Sequence, residues 1–457
     1  MEQSVGSEAT ISKENKMGVM PVRKLLITMS LPMMISMLVQ ALYNVVDSIF
    51  VARIEEDALT AVTLAFPMQN LMIAVGAGIG VGINALLSRS LGERRFDKVN
   101  QSANTGLLIT LIHYVVFLAI GLFLADPFLR TQTSHEKILE YGNTYLRIVC
   151  CCSFGLFFQL TLERLLQSTG RTLYSMISQA GGAIINIILD PIMIFGLLGC
   201  PRMGVAGAAI ATVIGQCCAA GIGLVLNLTR NPEIRFSVKE IFHPDMDTVR
   251  QIYGVGLPSV LMMAIGSVMS YLMNRILIVF STTATAVFGA YFKLQSFFFM
   301  PVIGLNNGMI PIIAYNYGAN RKDRIRATLR FALLLAFCVM CFGMLVFELM
   351  PGSLLDLFNA SGDMKTLGIP ALRIIAIHFP LAAFGITLGA TFQAFARSVY
   401  SMIISLCRQL IVLIPAAWLL AKLGNVDYVW LSFLAAEVVS VTLSVYFYRR
   451  LGQEKGF

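Results

Sequence analysis

The segment QSTGRTLYSMI at residues 167–177 returns as the related segment QAFARSVYSMI at residues 393–403. The two copies are 226 residues apart, and the Leu-Pro pair at residues 31–32 returns at residues 257–258 with the same spacing. Two glycines repeat at this offset as well: Gly82 with Gly308, and Gly92 with Gly318. Four regions with one offset predict a chain built from two related halves.

The composition indicates a membrane protein. Of the 457 residues, 57% are hydrophobic and only 13% are charged, with a mean hydropathy of +0.76. A soluble chain is about a quarter charged, so the composition argues against a cytosolic enzyme, a secreted disulfide scaffold and a disordered protein. The nine cysteines show no Cys/His spacing typical of a metal site. The net charge of +9 comes from basic residues in short loops, which indicates orientation in a membrane rather than nucleic-acid binding.

The apolar runs predict an all-α integral membrane protein with twelve transmembrane helices. A span needs about 20 apolar residues, and strands of a membrane barrel would be about half as long with alternating polarity. We place the spans at 25–52, 59–88, 103–125, 143–166, 173–197, 204–228, 251–280, 285–316, 328–350, 370–395, 399–421 and 427–448.

Basic residues in the loops predict the topology. With the N-terminus inside, the inside segments hold 23 Lys and Arg residues and the outside loops hold six, which follows the positive-inside rule. Both termini are therefore expected in the cytoplasm. The predicted units are a cytoplasmic N-terminal segment 1–24, a first lobe 25–228, a cytoplasmic linker 229–250, a second lobe 251–448 and a cytoplasmic tail 449–457. Six spans per lobe make a parallel repeat, which predicts two six-helix bundles around a central cavity.

Polar side chains line one face of the first span. Four of them recur every three or four residues, a spacing that places them on one side of a helix. These are Ser36, Gln40, Tyr43 and Asp47. Asn44 lies beside this face. A charged residue in the membrane is costly and is by default a functional hypothesis, so this face predicts a site.

The fifth span carries a second polar face, formed by Gln179, Asn186 and Asp190. Both helices run outward, and both acids fall in the outer half of the membrane by their distance from the inner loops. Two carboxylates with amide oxygens suit Na⁺, or trap a proton. The alternative is that Asp47 and Asp190 cap helix ends or pair with arginines.

The repeat supplies an internal comparison for this site. At the 226-residue offset, Asp47, Asn186 and Asp190 correspond to Met273, Val412 and Ala416. Structural acids would be expected in both halves, so their restriction to the first half favours a functional role. Glu163 is a weaker candidate, because a local salt bridge with Arg164 is an equal alternative. Further ionisable residues expected to be buried in the spans are Arg275, Lys293, His378, Arg408 and Glu437.

Three segments make the chain resemble the multidrug and toxic compound extrusion (MATE) family of bacterial efflux transporters over about residues 20–450. They are Asn44–Val51 together with residues 31–32, then Asn186–Gly196, and Gly204–Thr212. The resemblance implies that Asp47 and Asp190 are the cation-site carboxylates, with Tyr43, Asn186 and Thr212 around them. It also implies a bend at Pro32 and matches Glu163 to an acidic residue of the fourth helix in some members. Acids of helices seven and ten that bind Na⁺ in other members have no counterpart in this chain.

The resemblance implies an antiporter of a bacterial inner membrane that exports organic cations and drugs by alternating access, driven by H⁺ or Na⁺. Under sodium coupling, Asp47, Asp190 and Asn186 would bind the ion. Gln40, Asn44, Glu163 and Gln179 are candidate cavity or substrate residues. We expect a monomer in contact with membrane lipid, cationic or amphipathic drugs as ligands, and no cofactor, catalytic residue or nucleic acid. The alternatives are a lipid-linked saccharide flippase of the same superfamily and, from another class, an ion channel.

Overall fold

The computed structural model describes residues 14–358 and 360–455, which form helices and turns and no strand. Lys13, one of the basic residues behind the predicted topology, lies outside this part of the chain. The long elements in chain order are α1 (Val22–Ala52), α2 (Glu56–Gly92), α3 (Phe96–Phe123), α4 (Glu136–Cys151 and Phe154–Ser168), α5 (Thr172–Phe195), α6 (Val205–Arg230), α7 (Met246–Leu277), α8 (Thr282–Gly318), α9 (Lys322–Leu349), α10 (Gly362–Ala376 and Phe379–Ala394), α11 (Ser398–Ala421) and α12 (Val426–Lys455).

These twelve elements confirm the predicted fold class. Ten of them are single helices long and apolar enough to span a membrane, and α4 and α10 are pairs of helices bent by 45° and 51°. The second half of α10 begins with a proline in its first turn, where proline is tolerated. Short helices at Lys16–Val19, Ala125–Arg130, Val238–Phe242 and Pro351–Asp356 connect or flank the long ones.

The helices form two bundles, α1–α6 and α7–α12, which meet mainly through α1 against α8 and α2 against α7. The closest approaches lie toward the end of the molecule that carries residues 229–250, which we call the linker end. A Cβ atom on Gly92 would overlap the carbonyl oxygen of Tyr315, and one on Gly318 would overlap that of Arg89. The 226-residue offset relates Gly92 to Gly318 and Arg89 to Tyr315, so the two contacts are equivalent. This is expected for two halves related by a parallel repeat.

The N-terminal segment joins the first bundle at the linker end. It includes the short helix Lys16–Val19, and Asn15 caps this helix by accepting a hydrogen bond from the backbone N–H of Met17. The Asn15 amide nitrogen also donates to the carbonyl oxygen of Thr169 at 3.0 Å and to a carboxylate oxygen of Glu233 at 3.2 Å. The segment is therefore tied to the turn between α4 and α5 and to the linker.

The same segment is bound to the second bundle from its other side. The side-chain amide of Asn316 on α8 donates to the carbonyl oxygen of Met17 at 3.1 Å. The guanidinium of Arg324 on α9 donates to the carbonyl oxygens of Met17 at 3.0 Å and Met20 at 2.7 Å. Met17 itself is fully buried. The segment therefore crosses between the bundles and closes the linker end.

Toward the opposite end α8 has an exposed face on the side of α1, whereas α2 and α7 stay in contact through the hydrogen bond from Asn70 to Ser267 at 3.1 Å. The second half of α8 is buried on nearly all sides, whereas its first half has one exposed stripe. That stripe consists of Thr282, Ala286, Gly289, Lys293 and Phe297. It continues the face on which Gly304 packs against α1, since residues 293, 297 and 304 share one side of a helix. The first half of α8 therefore lines a cleft that opens away from the linker end.

Candidate functional site

The two acids singled out in the sequence meet inside the first bundle. Asp190 on α5 is fully buried, and the carboxyl group of Asp47 on α1 lies within hydrogen-bonding distance of it. Each acid is five residues before the end of its helix, which confirms that they lie at the same depth. Two carboxylates are both acceptors, so a hydrogen bond between them requires a proton on one.

The acid pair lacks a compensating cation in the described part of the chain. No arginine, lysine or histidine there forms an ion pair with either acid, so the alternative of structural pairing with arginine is wrong. Oδ1 of Asp47, both carboxylate oxygens of Asp190 and Oδ1 of Asn186 accept no hydrogen bond from any described group. Buried charge without a partner is strongly unfavourable, so these oxygens are suited to bind a proton or a metal cation.

The local sequence explains why α5 presents this face inward. Its buried polar residues recur at helical spacing and include Gln179, Asn186 and Asp190. Gly182 on the same face packs against the backbone of Gly215 on α6, where a Cβ atom would lie 2.6 Å from the carbonyl oxygen. This close crossing brings the preceding turn of α6, which carries Thr212, to the site.

Thr212 of α6 connects both polar faces. Its hydroxyl oxygen lies 3.5 Å from the hydroxyl oxygen of Tyr43 and accepts a hydrogen bond at 3.4 Å from the side-chain amide of Asn186. The structure therefore brings together all five residues expected around the cation, and Thr212, which only the family resemblance indicated, is among them.

Three of the four candidate cavity residues lie near this site. The Gln179 amide donates to the side-chain oxygen of Gln40 at 3.2 Å, on the linker-end side of the acids. Asn44 is exposed, and it lies 11 residues after Met33, which packs against α8. That spacing keeps both residues on one side of the helix, so Asn44 faces the cleft.

Glu163 lies apart from the acid pair. It is buried and accepts a hydrogen bond at 3.0 Å from Gln159, one turn earlier on α4. Among the described residues, no ion pair joins it to Arg164, which instead donates to Gln167 at 2.9 Å and to Asn307 of the second bundle at 3.3 Å. The local salt bridge considered from the sequence is therefore wrong, because Arg164 turns toward α8.

Pro32, the predicted hinge, is buried within a continuous helix. The helix α1 runs from Val22 to Ala52 through Pro32 without interruption. A proline at this position cannot donate the backbone hydrogen bond of a regular helix, so the helix is weakened there even while it is unbroken. The structure therefore shows the unbroken form of α1, and the predicted bend at Pro32 is not present in it.

Tyr145 and its partner Gln69 lie near the site and were not found from the sequence. Tyr145 of α4 is fully buried and lies close enough to Asp47, Tyr43 and Asp190 to interact with their charges, and its hydroxyl donates to Gln69 of α2 at 3.5 Å. Tyr145 belongs to no polar stripe on its own helix. Only a helical-wheel comparison of α4 with the other five helices of the bundle could have suggested it.

The second bundle has a different arrangement. Met273, the counterpart of Asp47, is fully buried among apolar side chains. Arg408 lies in a π-helical stretch of α11, and its Nη1 is 3.4 Å from a carboxylate oxygen of buried Glu437 on α12. Arg275 and Lys293 are exposed, so the expectation that they are buried is wrong. A cation site of the first bundle's type is therefore not repeated in the described part of the second.

The chemistry available at the site is that of oxygen ligands. The described residues contain no group of three or more His, Cys, Asp or Glu side chains arranged to bind a metal. The two carboxylates, the Asn186 amide oxygen and the hydroxyls of Tyr43 and Thr212 are hard ligands, which suit a proton or an alkali cation rather than a transition metal.

Comparisons with known proteins agree with this architecture. The family model MatE matches residues 32–192 and 258–419, two segments that begin 226 residues apart. Multidrug export protein MepA of Staphylococcus haemolyticus (strain JCSC1435) is 27% identical over 424 residues, covering 93% of this chain and 92% of that protein. The FAD transporter of Shewanella oneidensis is 26% identical over 434 residues, covering 93% of each chain.

Solved structures of transporters share this fold over nearly the whole chain. The outward-facing conformation of a multidrug resistance MATE family transporter of the MOP superfamily aligns with a TM-score of 0.91 at 25% identity, covering 97% of this chain and 99% of that chain. A crystal structure of MATE in the straight conformation aligns with a TM-score of 0.90 at 25% identity, over 98% and 100% of the two chains. The chain therefore belongs to the MatE family, as an efflux transporter of the multidrug and toxic compound extrusion type and not an enzyme.

Proposed function

We propose that this chain exports amphipathic organic drugs from a bacterial cell in exchange for H⁺ or Na⁺. The observation that carries the proposal is the buried Asp47–Asp190 pair, whose oxygens have no cation partner among the described residues. The negative charge of this pair is uncompensated until a proton or Na⁺ binds, so the pair can act as a coupling site. The drug substrates are inferred from the multidrug export relatives, although another relative is named a FAD transporter.

Alternating access is the mechanism that we propose for this exchange. The linker end is closed by the glycine contacts and by the N-terminal segment, while the cleft opens at the other end. Rocking of the two bundles around the cleft would expose it alternately on each side. In a bacterial inner membrane with the linker inside, the described state is the one that releases drug outward.

The proposed function is tested with purified protein in vesicles. Efflux of a fluorescent cationic drug would be followed under imposed Na⁺ and H⁺ gradients, each alone and both together. We expect saturable efflux that requires one of the two gradients. An ion conductance that needs no drug would instead indicate a channel, and transport of lipid-linked saccharide without drug transport would indicate a flippase.

The proposed orientation gives a prediction for the linker. The side chain of Glu240 is exposed in the short helix Val238–Phe242, so Glu240→Cys in a background without the native cysteines should be labelled only from the cytoplasm. Inverted and right-side-out vesicles treated with a membrane-impermeant maleimide provide the measurement. Labelling in right-side-out vesicles alone would contradict the proposed topology.

The weak point in α1 predicts how ion and drug compete. Asp47 and Pro32 lie on the same helix about four turns apart, so loading of Asp47 can bias α1 between a straight and a bent form. Ion and drug should then weaken each other's binding by the same factor. Pro32→Ala should keep ion binding and reduce this mutual effect, because a regular helix bends less easily.

Titration of a fluorescent drug at several Na⁺ and H⁺ concentrations measures this competition. The matched control is Pro258→Ala, the counterpart of Pro32 in α7, which should leave the competition unchanged. Drug affinity that is independent of both ions in the unmutated protein would contradict the coupling scheme.

A further inference from the structure

The cleft contains an exposed positive charge on its second-bundle side. Lys293 lies in the exposed stripe of α8, and no described carboxylate forms an ion pair with it. The residues of α8 on either side of this stripe, such as Tyr291 and Leu294, are buried in the second bundle. A charged side chain that faces lipid at this depth would be costly. In the cleft the ammonium group of Lys293 can be hydrated instead.

Lys293 lies at about the depth of the acid pair. The contact of Gly304 with Met33 and Met34 joins α8 to α1. From this contact, 11 residues along α1 lead to Asn44 and 11 residues back along α8 lead to Lys293, which is a rise of about 16 Å on each helix. Lys293 and Asn44 therefore lie at a similar depth on the two helices, and Asn44 is about one turn from Asp47.

The two walls of the cleft differ in the charge that a ligand can reach. On the first-bundle side, Asp190 is fully buried and Asp47 is mostly covered. On the second-bundle side, the ammonium group of Lys293 is accessible, and Phe297 lies one turn from it with 51% of its surface exposed. A ligand in the cleft thus meets a cation beside an exposed aromatic ring.

We propose that the cleft binds amphipathic organic anions, with a carboxylate, sulfonate or phosphate group on Lys293 and an apolar ring system against Phe297. Hydrogen bonds between ionised partners are stronger than neutral ones. Binding of an anion does not require the proposed function, whereas export of the bound anion rests on it.

The test measures binding rather than transport, so it is independent of whether the protein is an exporter. Carboxyfluorescein and rhodamine 123 share a xanthene ring system and differ in charge, and fluorescence anisotropy reports their binding to purified protein. We expect carboxyfluorescein to bind the unmutated protein, and Lys293→Glu to weaken this binding by about tenfold or more. Rhodamine 123 should bind Lys293→Glu at least as tightly as the unmutated protein.

Two further variants control for charge and folding. Lys293→Arg keeps the charge and should keep anion binding, whereas Lys293→Met should lose it. Lys422→Glu makes the same charge change on an exposed residue that stacks on Trp418 at the end of α11, and it should leave carboxyfluorescein binding unchanged. Equal loss in Lys422→Glu and Lys293→Glu, or no carboxyfluorescein binding by the unmutated protein, would overturn the proposal. Absence of gradient-driven efflux would count against the proposed function alone.

Discussion

Asp47→Asn and Asp190→Asn are each expected to reduce drug efflux to the level of protein-free vesicles. Asparagine has nearly the shape of aspartate, but it can neither take up a proton nor carry the charge that holds Na⁺. Since both acids lie in one buried pair with no cation partner among the described residues, neither can replace the other. Gradient-driven efflux of a fluorescent cationic drug from vesicles provides the measurement.

The same variants should be at least as stable as the unmutated protein. Removal of a buried charge that lacks a partner removes its desolvation cost, so the midpoint of thermal unfolding should stay the same or rise. Asp57→Asn is the matched control, because Asp57 is a partly exposed acid that pairs with Lys137 at 3.5 Å. Normal efflux by Asp190→Asn, or lost efflux together with a sharply lower unfolding midpoint, would contradict the assigned role.

Gly82→Val is expected to open the linker end. A Cβ atom on Gly82 of α2 would overlap the carbonyl oxygen of Ile252 on α7, and this contact exists only while the bundles are packed together there. Overpacking of this kind costs about 1–3 kcal/mol, which corresponds to a shift of about five- to 150-fold between the two states. The variant should therefore populate the form with its cleft open toward the linker end and export drug slowly.

Spin labels on Arg95 and Asp323 measure this change. Both side chains are exposed, one in each bundle at the linker end, and the labels can be attached to introduced cysteines after the nine native ones are replaced. The distance between the labels should lengthen in Gly82→Val. Gly254→Val is the control, because a Cβ atom on Gly254 of α7 meets nothing within 4 Å. An unchanged distance in folded Gly82→Val would refute the role of this contact.

Periodic patterns in the sequence predicted most of the fold and the centre of the site. The twelve spans follow from apolar runs, and the pairing of Asp47 with Asp190 follows from two polar faces at one depth. In the structure the two acids meet, with Asn186 and Thr212 beside them. These features depend on spacing within one helix, which the sequence states directly.

Features that depend on packing between helices were not predicted. Tyr145 lies near the acid pair only because the first half of α4 packs against α2 and α6, and its own helix shows no polar stripe. The partner of Arg164 is Asn307 in the other bundle rather than adjacent Glu163, and the exposure of Lys293 depends on where the bundles separate. Distances between segments far apart in the sequence decide each of these.

The N-terminal segment shows the same dependence. Its polar composition gave no indication that Met17 would be fully buried between the two bundles. The segment is held by Thr169 and Glu233, which bind Asn15, and by Asn316 and Arg324, which bind the carbonyl oxygen of Met17; only the assembled linker end brings these residues together. Local sequence could not identify these partners.

The central claim is that the Asp47–Asp190 pair couples ion entry to drug exit, and drug-dependent ion flux tests it most directly. Vesicles loaded with a cationic drug would be given an inward H⁺ or Na⁺ gradient, and ion uptake would be recorded with and without drug. We predict that drug stimulates uptake of one of the two ions in the unmutated protein and that Asp190→Asn abolishes this stimulation. Ion uptake that is the same with and without drug, or stimulation that persists in Asp190→Asn, would contradict the account.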